Sequence, residues 1–493
     1  MAPHNIVLHG GRVIDPESML DAKRDVGISG GTVTAVTEDD LDGTTVIDVT
    51  GLVVAPGFID LHSHAQNLAG RRLQAHDGVT TALDLEVGRT PVENAYAYEA
   101  SLGSPINYGF SASWASARMQ VLTGLVADGG VESAFIVLGA SEWRAPCTVG
   151  QFSRVLGQLS EDLARGAIGI GLLLGYAPEV DPVEYLEVAR LAAESDVPTF
   201  THCRDLVELS PATKIDGAEE IVRAAGETGA HMHYCHLNST SGRHIDRVLG
   251  LVERCQRAGG QVTTEAYPYG SGSTSIGAAF LAPERLPERG LTPQSLTYLP
   301  TGERVADEAR LRELRATGPD GLVLVEQLKE DDPADFALLR RSFTSEGTAI
   351  ASDAMPLVAT SPAFDPLRWP LPPGAVTHPR SAGCFSRALR LWREDGRPLS
   401  DAICRCSLLP ARALEASCET MRRKGRIGPG SDADLVVFDP ARVTDQATYA
   451  DTTRPSSGVR HLLVDGVFVI RDGGLVPDAR PGRLITTGRN KPN

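Results

Sequence analysis

Between residues 55 and about 415, short apolar segments alternate with amphipathic helical patterns. Eight segments read as strands: residues 58–64, 80–86, 107–111, 167–174, 199–202, 231–236, 261–267 and 348–353. Helical patterns lie between several of them, for example over 182–193 and 217–228. Strands joined through helices run parallel, because the crossover returns the chain to its starting edge. Eight such units predict an α/β fold, most simply a closed (β/α)8 TIM-like barrel.

Such barrels carry their chemistry at the C-terminal ends of the strands. The polar residues of this chain fall there: His62, His64, Glu86, Tyr176, His202, His236, Tyr267 and Asp353. In His62-Ser63-His64 the imidazoles are two residues apart and share a strand face. Two adjacent imidazoles suit a metal ion better than a core. Of the 12 histidines, His4, His9, His76, His244 and His461 take a surface or packing reading. His231 and His233 share the strand of His236. His236 is preferred as the ligand because it comes last, with His233 as the alternative. Glu86 is preferred over Asp84, which shares its face; either carboxylate also has a salt-bridge reading, with Arg89. A lone Asp such as Asp353 often only caps a turn or helix. Beside four strand-end histidines it reads as general base and metal contact.

Imidazoles and carboxylates with an open position form a zinc set. Such an ion brings the pKa of a bound water to about 7 and polarises a carbonyl. Asp353 then moves the water's proton to a leaving amine, which is hydrolysis of a C–N bond. The chain has no Gly-rich phosphate loop with its lysine and no Gly-x-Ser-x-Gly elbow.

The two ends differ from the middle. Residues 6–9, 12–14, 25–28, 32–36 and 45–49 read as strands, with turns at Gly10-Gly11 and Gly30-Gly31. Residues 425–439 are a glycine-punctuated strand, and 459–470 a hairpin turning at Asp465-Gly466. Residues 1–54 and 421–493 are therefore expected to build one small β-sandwich domain flanking a barrel over 55–420. Residues 276–345 are irregular and read as an insertion before the last strand, either a lid or a helical excursion. A net charge of −16 argues against a nucleic-acid partner. No apolar run reaches the ~20 residues of a membrane span, and no signal peptide is visible at the N-terminus. The 8 scattered cysteines suit free thiols in a cytoplasmic setting, with Cys404-Arg-Cys406 read as packing.

Pro56-Gly-Phe-Ile-Asp-Leu-His-Ser-His64, Ser352-Asp353 and Gly430-Ser-Asp-Ala-Asp-Leu-Val-Val-Phe-Asp439 resemble the amidohydrolase superfamily. Gly175-Tyr-Ala-Pro178, Thr201-His-Cys-Arg204, Ala266-Tyr-Pro-Tyr-Gly270 and Thr377-His-Pro-Arg-Ser-Ala-Gly383 are similar to the N-acyl-D-amino-acid deacylases. Leu85-Glu86, His233-Tyr-Cys-His-Leu-Asn-Ser-Thr240 and Thr263-Thr-Glu-Ala-Tyr-Pro-Tyr269 are most similar to the D-glutamate deacylase subgroup. The resemblance implies a barrel with a split β-sandwich and one or two zinc ions. It implies hydrolysis of an N-acyl-D-amino acid, N-acyl-D-glutamate among the candidates, to a carboxylate and a free D-amino acid. By motif, His62 and His64 hold the more exposed ion and His202 and His236 the other, with Asp353 as base. Arg380 is then a clamp for the substrate carboxylate, and Tyr176 and Tyr267 hydrogen-bond the amide or carboxylate.

Two departures stand out. Many relatives place a metal-binding cysteine where this chain has Glu86, and a lysine where it has Asn238. Glu86 is the natural replacement for the first. Arg204 or Arg380 must neutralise the substrate carboxylate for the second. No lysine ends the fourth strand, so a carboxylated-lysine bridge is not expected. Hydrolysis of a cyclic amide, or of an amide or hydrazide in a biosynthetic pathway, is the alternative. A non-catalytic metal-binding scaffold would be expected to lose a ligand, yet all four histidines and Asp353 are present. A homo-oligomer is compatible with the sequence.

Overall fold

In the computed structural model, which describes residues 4–130, 137–359, 365 and 368–488, the eight expected segments form one parallel sheet. Its strands are Phe58–Asp60, Val79–Arg89, Asn107–Ser113, Ile170–Leu173, Thr199–His202, Met232–Tyr234, Val262–Ala266 and Thr348–Ile350, side by side in chain order. Nearly every residue in them is buried, as a sheet covered by helices outside and packed side chains inside requires. The barrel closes at its C-terminal mouth. Ser63 bridges Ala354 in parallel, the His64 N–H donates to the Ala354 carbonyl at 2.7 Å, and that of Ala354 donates to the His62 carbonyl at 3.3 Å. Buried Asp60 reinforces the seam by accepting the Ser352 N–H at 2.9 Å and the Ser352 hydroxyl.

The outer helices start where local chemistry tells them to. Pro182–Glu194 begins with Asp181 accepting the Val183 N–H and proline in its first turn. Gly217–Thr228 is capped by Asp216 and ends at Gly229. Cys404–Leu408 is a π-helical turn between Leu399–Ile403 and Leu409–Leu414, with Cys406 buried. All eight cysteines are free. No helix among the described residues is long and apolar enough to cross a membrane.

The irregular stretch after the seventh strand is not a plain helical excursion. Ser271–Ser275, Leu322–Glu326, Leu296–Tyr298 and Glu303–Arg304 form a separate antiparallel sheet, accompanied by the helix Glu308–Thr317. Pro333–Thr344 follows as an outer helix of the barrel, packed beside its last strand. The charged run before it supplies the start signal, since Asp332 accepts the N–H groups of Ala334 and Asp335.

Both chain ends join in one nine-stranded sheet. Val53–Pro56 is its seam, parallel to His4–Asp15 and antiparallel to Leu435–Phe438. The expected sandwich takes the form of a curled sheet. Its far edge, Thr32–Thr37, returns to residues 430–433, where the Val33 N–H donates to the Ser431 carbonyl at 2.9 Å. Leu8, Val26, Val33, Val54, Leu435 and Leu463 fill the interior. The hairpin Val459–Val464 and Val467–Arg471 turns at Asp465 and Gly466, both left-handed (φ 50° and 74°), as a tight turn of that twist demands. Residues 1–3 and 489–493, at the outer ends of the expected β domain, lie outside the described residues.

Asp434 fastens this sheet to the barrel. It accepts Asn107 Nδ2 of the third barrel strand at 2.8 Å, buried Lys424 Nζ at 2.5 Å and the Asp465 N–H at 2.7 Å. Asp434→Ala leaves a buried ammonium with only Asp432 for company and should cost about 2–4 kcal/mol, measured as a fall in the denaturant midpoint.

Candidate metal centre and active site

Six side chains converge at the barrel mouth: His62, His64, Glu86, His202, His236 and Asp353. His62 and His64 follow the first strand, Glu86 lies late in the long second strand, and His202 ends the fifth. His236 and Asp353 follow the sixth and eighth strands on left-handed backbone, with φ of 37° and 49°. That conformation is disfavoured for a residue with a Cβ by roughly 1–2 kcal/mol. Such strain persists where surrounding bonds over-determine it. At Asp353 those bonds are the barrel-closing contacts of Ser352 and Ala354.

Glu86 divides its two oxygens between two pairs of imidazoles. Oε1 lies 2.9 Å from His202 Nδ1 and 2.8 Å from His236 Nε2. Oε2 lies 3.3 Å from His62 Nε2 and 3.5 Å from His64 Nε2. Asp353 Oδ1 joins the second pair, at 3.4 Å from His62 Nε2 and 3.5 Å from His64 Nε2, and those two nitrogens are 3.0 Å apart. A tetrahedral ion with ligand bonds of about 2.1 Å separates its donor atoms by roughly 3.4 Å. The set of His62, His64, Glu86 and Asp353 matches that spacing. Glu86, His202 and His236 form a second, three-donor set. The residues present therefore fit divalent-metal binding at this mouth.

The electrostatics ask for the same charge. Burial opposes a positive His62, yet Asp353, Glu86 and Glu265 hold it well above its ordinary range. Burial likewise opposes a charged His64, but Asp84, Asp353 and Glu86 push it up to about 10. Burial would raise Glu86, and the histidines around it, His62 first, carry it well below the usual carboxylate range. Buried carboxylates here demand cations, and protons on imidazole supply what metal would supply better.

The alternatives that the sequence left open sit one step further out. Asp84 does not enter the cage; its Oδ1 lies 2.9 Å from His64 Nδ1 and its Oδ2 2.8 Å from Arg89. His233 also stays outside, with Nε2 3.1 Å from Glu265 Oε2 and Nδ1 2.8 Å from Thr263 Oγ1. Glu265, which strand-end reasoning passed over, lies 2.5 Å from His62 Nδ1. Carboxylates on the far nitrogens of His62 and His64 fix ring orientation and make better ligands of both. The signal for Glu265 was a single charged residue inside a short, mostly buried strand, Val262–Ala266.

The expected substrate contacts divide. Tyr176 and Tyr267 line the cavity beside the cage, and the Tyr176 hydroxyl meets Thr274 Oγ1 at 2.7 Å. Arg204 does not reach the cavity. It is buried on Glu220 at 2.8 Å and on the Pro178 carbonyl at 2.6 Å, which removes it as a substrate clamp. Arg380 is also buried: its Nη2 forms an ion pair with Asp353 Oδ2 at 2.7 Å, its Nε donates to the Asp353 carbonyl at 2.6 Å, and the guanidinium stacks on Tyr267. Its first partner is Asp353. Asn238 accepts the Tyr267 N–H and donates to the Tyr269 carbonyl, a bracing role. Gly175 matters by its size, since a Cβ there would lie 2.5 Å from the His202 ring. His202 and Asp353, 15% and 11% exposed, are the most open members of the cage and face the cavity.

Residues 230–470 match the model of the amidohydrolase family. The chain is similar to N-acyl-D-glutamate deacylase of Alcaligenes xylosoxydans xylosoxydans, 26% identical over 511 residues, covering 98% of this chain and 96% of that one. It is similar to D-aminoacylase of the same organism, 28% identical over 490 residues, covering 95% and 94%. In fold it resembles the N-acyl-D-glutamate deacylase of Bordetella bronchiseptica, solved with zinc and a phosphonate inhibitor. That match has a TM-score of 0.76 at 23% identity and covers 98% and 100% of the two chains. A D-aminoacylase with a binuclear metal centre matches equally well, also at 0.76.

Replacing Glu265 with Gln should weaken metal binding by about 10- to 100-fold without unfolding the chain. Competition with a chelator, alongside circular dichroism, checks this.

Proposed function

We propose that this chain is a zinc-dependent deacylase of N-acyl-D-amino acids, releasing a carboxylate and a free D-amino acid. It is a hydrolase of C–N bonds other than peptide bonds. The observation that carries the reading is the division of Glu86 between two histidine pairs, with Asp353 held beside one of them. The deacylases among its relatives support the substrate class.

His62, His64, Glu86 and Asp353 would hold one ion, and His202, His236 and Glu86 the other. When bound, such ions polarise the scissile carbonyl and make water acidic enough to attack at neutral pH. The chain's own residues do the rest. Arg380 grips Asp353 Oδ2, so Oδ1 is the oxygen turned to the reacting centre. Burial opposes the ionised form of Asp353, and Arg380 and His62 hold it below the usual range, ready to accept a proton. Asp353 takes that proton from the attacking water and delivers it to the amide nitrogen as the C–N bond breaks. Tyr176 and Tyr267 orient the substrate with their hydroxyls. Phe280 and Val87 exclude bulk water from the cavity. The free cysteines fit a cytoplasmic setting.

Metal-loaded protein should release free amine from N-acetyl-D-amino acids and not from their L counterparts. Activity on L forms alone, or on neither, refutes the substrate class. Asp353→Asn should lower kcat by at least about 100-fold while elemental analysis finds the metal retained; an unchanged rate removes Asp353 as the base. Arg380→Met, which frees the Asp353 carboxylate, should lower kcat more than it raises KM.

A further inference from the structure

An N-acyl amino acid brings an α-carboxylate to the barrel mouth, and the arginines expected to meet it are committed elsewhere. Arg204 is paired with Glu220 and Arg380 with Asp353. Asn238 is neutral and braces Tyr267 and Tyr269. One guanidinium behind the cavity wall is not neutralised. Arg144 forms no salt bridge among the described residues. Its Nη2 donates to the Leu138 carbonyl at 2.9 Å, and its buried Nε has no hydrogen-bond partner. Glu142, the carboxylate whose charge it feels, is exposed and accepts the Ser141 N–H. A half-buried guanidinium with an orphaned donor is costly until an anion reaches it.

The segment around Arg144 is built to hold it still. Arg118, fully buried and paired with Glu184, donates from Nε to the Trp143 carbonyl at 2.9 Å and from Nη2 to the Ala145 carbonyl. Those two carbonyls flank Arg144. The Trp143 indole donates to the Val137 carbonyl at 2.6 Å and packs edge-on against Trp114. The backbone is thus pinned on both sides while the charge of Arg144 stays unused.

Its placement suits a carboxylate near the cage. Leu138 and Tyr176 both line the cavity. Arg144 holds the first by its carbonyl, and its charge favours negative charge at the hydroxyl of the second. The Tyr176 ring lies 4.9 Å from the ring of His202. In an N-acyl amino acid the α-carboxylate is only two bonds from the amide nitrogen, so its cation must stand about one side chain away from the cage. Tyr176 spans that interval. Resting on the deacylase reading, we infer that Arg144 binds the substrate's α-carboxylate, with the Tyr176 hydroxyl as the neighbouring donor. Arg380 is left to hold Asp353.

The test is calorimetry and kinetics on metal-loaded protein with N-acetyl-D-methionine and N-acetyl-D-glutamate, each beside its uncharged α-amide. Wild type should bind the better acid at least about tenfold more tightly than its α-amide, as a charged hydrogen bond requires. Arg144→Met should close that gap and raise KM for the acid with little change in kcat. Arg144→Lys, which keeps the charge, should restore part of the gap, and Arg380→Met should leave the gap in place. An unchanged gap in Arg144→Met overturns the inference, as does a loss confined to kcat or a gap that closes in Arg380→Met instead. If neither acid binds to wild type, the inference and the deacylase reading fall together. If an acid binds through Arg144 but no amine is released, the reaction assignment falls and the role of Arg144 stands. If amine is released and the gap ignores Arg144, the reverse holds.

Discussion

One buried carboxylate answers to four imidazoles. Glu86 cannot satisfy them by hydrogen bonds alone, because a carboxylate only accepts and each neutral imidazole brings a single N–H. His62 and His64 already use their far nitrogens on Glu265 and Asp84. As neutral rings they would have no N–H left for each other, 3.0 Å apart, or for Glu86 at 3.3 and 3.5 Å, so the near nitrogens need a second proton or a metal ion. Such a constellation is costly without positive charge at its centre. The features around it can be understood as ways of holding that arrangement open.

The barrel does this through its closure. The contacts that join the last strand to the first pass through the cage residue His62 and through Asp60, Ser352 and Ala354, within two residues of the cage. Closing the sheet and placing the ligands are thus one event. The left-handed backbone at Asp353 is the conformational cost of turning a carboxylate inward just after the strand ends. Arg380 then fixes which of its oxygens faces the histidines.

Much of this was legible in the sequence. Period-two spacing put His62 and His64 on one face, and strand ends located Glu86, His202, His236 and Asp353, because those rules are local. What escaped was set by partners distant along the chain. Nothing near Arg204 announces that Glu220 will take its guanidinium. Nothing near Glu265 announces His62, some 203 residues away. His236 was preferred over His233 because it comes last in the strand, and the left-handed turn at His236 brings its ring to Glu86 while His233 faces Glu265. The insertion was visible as irregularity but not as a sheet, because its strands of two to five residues are too short to show a period.

The seam strand Val53–Pro56 also has a meaning for biosynthesis. It leads directly into the first barrel strand, yet its antiparallel neighbour Leu435–Phe438 is made some 380 residues later. During translation the whole barrel emerges while one edge of this strand waits unpaired. The barrel therefore has the chance to assemble first, and the late-made C-terminal segments complete the sheet at its base. The order of manufacture puts the catalytic unit before the clasp that holds the two ends of the chain together.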